Sequence, residues 1–131
     1  MKMKVLSIIS LLVPLVTLVG CGPNHEAKIR ERVTQLAVYS CSNDLDGCVQ
    51  ITDPVFVRSQ GVAAVKARYK LLNAFVRLGQ LTPDKIRIDS IEVAENGKSA
   101  QVGISFMVDD EWRKRDPARW VYHEGQWYVA L

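Results

Sequence analysis

The sequence predicts an α+β domain in which N-terminal helices pack on a curved, cone-like antiparallel sheet of about four strands. Three observations predict it. Apolar residues recur at helical spacing through residues 26–40 and again through 61–78. From residue 86 the period changes to two, and turn signals stand at Asn96-Gly97, Asp109-Asp110-Glu111 and Glu124-Gly125. The helical segments all precede the strands, an order that segregates the two kinds of element. At 131 residues the chain has room for one such domain.

The first element is not part of that domain. Lys2 and Lys4 open the chain, Val5 to Val19 is almost wholly apolar, and no further charge occurs before Glu26. A positive start, a short apolar stretch and small residues before a cut site make residues 1–20 a removable export signal. The apolar stretch is shorter than the roughly 20 residues of a spanning helix and contains Pro14. Without the two leader lysines the chain carries 15 basic and 14 acidic side chains, interspersed. The whole-chain charge of +3 is therefore partly an export feature and does not point to nucleic acid.

Leu18-Val19-Gly20-Cys21 resembles the lipobox of bacterial lipoproteins. The resemblance implies a diacylglyceryl thioether on Cys21, cleavage between Gly20 and Cys21, and acylation of the new amine. Several acyl chains on one residue make a lasting anchor where a single chain does not. Membrane attachment through lipid on Cys21, on the periplasmic side of the envelope, follows as the expectation. Gly22 replaces the Asp that favours inner-membrane retention in enterobacteria, which favours the outer membrane. Residues 21–25 then form a short lipidated tether, with His25 in solvated linker, and 26–131 the single domain.

With Cys21 assigned to lipid, Cys41 and Cys48 remain as a pair in an oxidising compartment. The polar span between them contains Gly47, and a disulfide is expected there. Closing so short a loop is worth about 2.5 kcal/mol in the chain-entropy account. Two reduced core thiols, or a metal pair, are the alternatives. Ser42, Asp44, Asp46, Gly47 and Asp53 also fall at calcium-loop positions, but Ser replaces the first carboxylate and Asp the last bidentate Glu.

Ile29, Val33, Leu36 and Ala37 set the inward stripe of the first helix. Asp53-Pro54 reads as an N-cap with proline at the first helical position, opening a short helix to about Arg58. Gly61 to Leu78 makes a longer one. Val62, Val65, Tyr69, Leu72 and Val76 form its stripe, Leu71, Phe75 and Leu78 widen it, and Gly79 stops it. So wide a face calls for a concave partner, and the sheet is expected to wrap around this helix.

Among the strands, Ile86 and Ile88 lie in one phase and Ile91 and Val93 in the other, so a bulge is expected near Asp89-Ser90. Ala100, Val102, Ile104, Phe106 and Val108 alternate along the next strand. Asp116-Pro117 should interrupt the return, because proline cannot donate a ladder hydrogen bond. A two-residue turn at Glu124-Gly125 would set Tyr122 opposite Trp127 and Trp120 opposite Val129. Helices followed by a meander closing on Arg119-Trp120-Val121-Tyr122-His123-Glu124-Gly125-Gln126-Trp127-Tyr128-Val129 resemble small lipoproteins of the nuclear transport factor 2-like superfamily. That resemblance, over residues 26–131, implies a cone-shaped sheet, a long helix across its mouth, and often a pocket or dimer face.

Enzymes of the superfamily place Asp, His or Tyr inside the cone, which makes Tyr69, Asp89, Tyr122 and His123 the residues to locate. None stands in a recognisable catalytic motif, and no catalytic residue, cofactor or metal ligand is assigned. The single basic run, Arg113-Lys114-Arg115, is flanked by Asp109, Asp110, Glu111 and Asp116 and reads as a charge-compensated hairpin. The expected function is a non-enzymatic envelope module that binds a protein partner or a small apolar ligand. The alternative is a pocket enzyme of dehydratase or isomerase type, which would need a carboxylate beside a His or Tyr inside the cone.

Overall fold

Asn24 caps the first helix, its side-chain oxygen accepting from the Ala27 N–H at 3.1 Å. The structure is a computed structural model and describes residues 24–131. The export signal, the cut site and Cys21 lie outside the described residues. Helix α1 (His25–Cys41) buries Ile29, Val33 and Ala37, the stripe its spacing predicts. His25 is a correction. It opens the helix instead of lying in solvated linker, because its ring packs edge-on against Tyr122 and Trp127 and its Nδ1 accepts from Trp127 Nε1 at 3.3 Å.

The segment after α1, expected as a polar loop closed by a Cys41–Cys48 bridge, is instead a second helix, α2 (Leu45–Ile51). Asn43 takes a left-handed conformation (φ 55°), and Asp44 caps the helix by accepting from the Gly47 N–H at 3.0 Å. The two cysteines are free thiols. Cys48 is fully buried and points at α1, but the α1 residue it meets is Ser40, whose Oγ lies 3.8 Å from its Sγ. Neighbouring residues on a helix are rotated by roughly 100°, so Cys41 is turned away from Cys48. Gly47 allows the two helices to close: a Cβ there would lie 2.5 Å from the Tyr39 ring.

Asp53 caps helix α3 (Pro54–Gln60), accepting from the Val55 N–H at 3.0 Å with proline at the first position, as predicted. Gly61, at φ 89°, separates it from α4 (Val62–Leu78). The inward line of α4 is Val65, Tyr69 and Asn73. Val62, Leu71, Leu72, Phe75 and Leu78 remain exposed, so the wide apolar face is not covered as expected. The reason is that α1 takes the place on the sheet. Ile29 and Val33 join Ile51, Val102, Trp120, Trp127 and Val129 in one core cluster, while α4 packs on α1, α2 and α3.

A short 3₁₀ turn (Pro83–Lys85) leads into a five-stranded antiparallel sheet. Its strands are β1 (Ile86–Val93), β2 (Ser99–Val108), β3 (Glu111–Lys114), β4 (Ala118–His123) and β5 (Gln126–Ala130). The order is β1-β2-β4-β5, with β3 also on β2. There are five strands and not four because Asp116-Pro117 divides the return: β3 pairs with Ser105–Val108 and β4 with Ser99–Val102. The register slips between Ile88 and Ser90, which is the bulge that the two phases of β1 require. Tyr122 faces Trp127 and Trp120 faces Val129. Both turn pairs, Asp109-Asp110 and Glu124-Gly125, lie at positive φ, the conformation that tight hairpins select. Helices and sheet are tied where the Asp53 N–H donates to the Val129 carbonyl at 2.9 Å and Arg32 Nε donates to the Trp127 carbonyl at 2.8 Å.

Candidate functional site

The alternation of β2 turns Val102, Ile104, Phe106 and Val108 toward the helices. Since α1 covers only part of this concave face and α4 rests on the other helices, a cavity of about 520 Å³ remains between them. Its size is that of a small-molecule site. From α1 it is lined by Val33, Leu36, Ala37 and Ser40, and from α4 by Tyr69, Leu72, Asn73, Phe75 and Val76. Trp120, Val129 and Leu131 close its inner wall. Leu72, Phe75, Gly79 and Arg115 are exposed lining residues and mark its mouth. The Arg115 guanidinium lies over the Phe106 ring at 5.5 Å.

The polar groups of the inner end form one network. Thr52 Oγ1 donates to the Cys48 carbonyl at 2.8 Å, which commits its single proton. The Tyr69 hydroxyl, 2.6 Å from Thr52 Oγ1, is therefore the donor of that pair. Burial, opposed by the bond to Thr52, pushes the Tyr69 hydroxyl up to about 12. Burial also raises the Cys48 thiol, against the lowering effect of Ser40 and Asn73. Asn73 is wholly buried; its Nδ2 donates to Asn43 Oδ1 at 3.1 Å and lies 3.9 Å from Cys48 Sγ. Asn73 Oδ1 has no partner, and among the described residues it is the one buried side-chain N or O atom so left.

Of the four residues weighed for proton transfer, Tyr69 alone lines the cavity. Asp89 bonds the Ser105 hydroxyl and Arg87 Nε on the face of β2 opposite Val102 and Ile104. The Ser105 hydroxyl, with Arg87, holds the Asp89 carboxyl below its ordinary value. His123 Nε2 pairs with Asp53 Oδ1 at 3.1 Å, and Tyr122 packs on His25 and Trp127. The carboxylates at calcium-loop positions are dispersed: Asp44 and Asp53 cap helices, and Asp46 lies 2.7 Å from Lys66 Nζ. Among the described residues no three His, Cys, Asp or Glu side chains converge. The basic run is also divided, Arg113 lying 3.6 Å from Glu111 and Arg115 reaching the cavity mouth.

Asn73 and Ser40 are the polar lining residues that sequence reasoning passed over. A signal existed for Asn73. It follows Val65 and Tyr69 at intervals of four, so it continues the inward line of α4 as a polar residue where an apolar one would be routine. No described helix is long and apolar enough to cross a membrane. Set against protein-family models and against curated proteins, the chain matches none.

Proposed function

We propose that the protein is a lipid-anchored module of the bacterial envelope, held on the periplasmic side and with the outer membrane favoured, that binds a small apolar ligand in the cone. The observation that carries the binding reading is the cavity itself. It is preformed, apolar along β2 and most of the helical wall, and open at one end. Among the described residues no carboxylate or imidazole lines it. The dehydratase or isomerase alternative needs a proton-transfer group, and Tyr69, pushed up to about 12, stays protonated near neutral pH. These features favour binding over proton transfer.

The anchor rests on Leu18-Val19-Gly20-Cys21. With lipid on Cys21, the four residues to Asn24 span at most about 14 Å. The start of α1 would then sit close to the membrane together with the β1–β2 turn, since a Cβ on Gly97 would lie 3.3 Å from His25. The α1 residues that line the cavity, Val33 to Ser40, lie roughly 12–22 Å along the helix axis from His25, which would set the cavity apart from the anchoring bilayer.

Two measurements test the reading. Intact-mass analysis of the membrane fraction should give a chain beginning at Cys21 with acyl mass added; a different mature start would remove the anchor. Organic extraction of protein purified from its host should release small apolar compounds that are depleted in a Val76→Trp variant, whose indole would occupy the cavity. Equal recovery from both proteins would remove the binding reading.

A further inference from the structure

Helix α4 turns an apolar face to solvent. At roughly 100° per residue, Leu71 and Leu78 stand opposite the inward line of Val65, Tyr69 and Asn73, with Ala67 and Phe75 beside them. Leu71 and Phe75 are each 64 % exposed and Leu78 is 80 % exposed. A helix that is apolar on both faces is ordinarily buried, and a contiguous exposed patch of large side chains marks a contact with something outside the chain.

The charges around this face select the partner. From Pro54 to Pro83 the chain has Arg58, Lys66, Arg68, Lys70 and Arg77 and no acidic residue, although basic and acidic side chains are nearly balanced after the leader. By the same rotation Lys70 and Arg77 lie along one edge of the apolar face and Arg68 along the other. Lys66 is engaged by Asp46 at 2.7 Å, but among the described residues no carboxylate comes within ion-pair distance of Arg68, Lys70 or Arg77. We infer that the outer face of α4 docks on the surface of a bilayer with anionic headgroups. Leu71, Phe75 and Leu78 enter the acyl boundary, and the flanking cations reach the phosphates with their stems laid along the apolar side chains.

This contact goes beyond the ligand reading and does not depend on it. A second copy of the chain is the poorer occupant. A two-fold contact through the stripe would bring the cations of one copy against those of the other, with no carboxylate on α3 or α4 to offset them. A bilayer also matches the neighbouring cavity. Leu72, Phe75 and Gly79 run from the stripe into its mouth, where Arg115 adds a further cation. Acyl chains pressed on the stripe would continue the apolar lining of the mouth, which an acidic protein surface would not.

The test uses the full chain as its host matures it, carrying Phe75→Trp and held in neutral phosphatidylcholine nanodiscs. These are titrated with vesicles of phosphatidylcholine, alone or mixed with phosphatidylglycerol, whose acyl chains are brominated to quench indole on contact. A second sample has the brominated lipids in the nanodisc itself, which detects a face turned to its own bilayer. The wild-type signal, from Trp112, Trp120 and Trp127, is subtracted. The added indole should be quenched by the anionic mixture and little by the neutral lipid, and the quenching should fall as salt is raised. Lys70→Gln and Arg77→Gln leave the apolar stripe intact. Each should raise the vesicle lipid needed for half-quenching about fivefold, the factor that one cation near an anionic surface is worth. Quenching in neither sample, or equal quenching by neutral and anionic lipid, overturns the inference. So does a doubling of mass in detergent solution that Leu71→Asp reverses, which would give the face to a second copy.

Discussion

Tyr69 and Asp89 are shifted in opposite directions, and each shift has a pH consequence with a definite sign. The folded-state Tyr69 value, about 12, lies above the ordinary value near 10. The folded state therefore keeps a proton that the unfolded chain releases, so stability holds below about pH 10 and falls as pH rises toward 12. Ultraviolet titration should show a tyrosinate appearing near pH 12 that is missing from Tyr69→Phe. Asp89 runs the other way: its carboxyl is depressed by the Ser105 hydroxyl and by Arg87. Its contribution is present above the unfolded value near 4 and is lost as pH falls through the lower folded value. Thermal melts below about pH 4 should be less steeply pH-dependent in Ser105→Ala than in the wild type. Gly47 tests packing. With a Cβ 2.5 Å from the Tyr39 ring, Gly47→Ala must push α1 and α2 apart. It should cost about 1–3 kcal/mol in urea unfolding, the usual range for overpacking; a neutral result would mean that the ring moves freely.

Between α1 and α3 the chain relies on caps and close packing, with no covalent staple. Asp44 and Asp53 each cap a seven-residue helix, and Asp53 also pairs with His123 and donates its N–H to Val129. Asp53→Ala should lower stability by about 0.5–2 kcal/mol through loss of the cap, measurable by urea unfolding. Cys41 and Cys48, as free thiols, should both react when the unreduced protein is unfolded, and added reductant should leave the melting temperature unchanged. A blocked pair would contradict the helix geometry that turns Cys41 away. Elements were legible in the sequence where a repeating pattern carried them: the stripe of α1, the proline start of α3, the bulge in β1 and the pairing of β4 with β5. Helix α2 was not legible. Seven residues containing Gly47 and Asp46 have too short a period to read, and what stabilises them is contact with α1 and α4.

Taken whole, the molecule is a sheet with one concave face and two long helices competing for it. The spacing of apolar residues ranked α4 first for that place, since its face is wider and more apolar. Tertiary packing gave it to α1, which Ile29, Val33 and the tie from Arg32 to Trp127 hold against the sheet. The cavity follows from that exchange, because α4, supported on α1, α2 and α3, leaves the β2 wall uncovered. Filling this space should uncouple fold from binding. Val76→Trp should retain the cooperative unfolding of the wild type in urea while losing the ligand, whereas loss of both would make Val76 a packing residue. The sequence by itself determined the α+β class, the succession of the strands, the bulge in β1 and the register of the last hairpin, and the lipobox that motivates the anchor, because periodicity, turn chemistry and a short motif act over neighbouring residues. Only the tertiary structure decided which helix covers the sheet, that Cys48 meets Ser40 in place of Cys41, and that the polar Asn73 is wholly buried beside Cys48. Those outcomes depend on which surfaces, distant in the chain, exclude water together, and no local pattern encodes that choice.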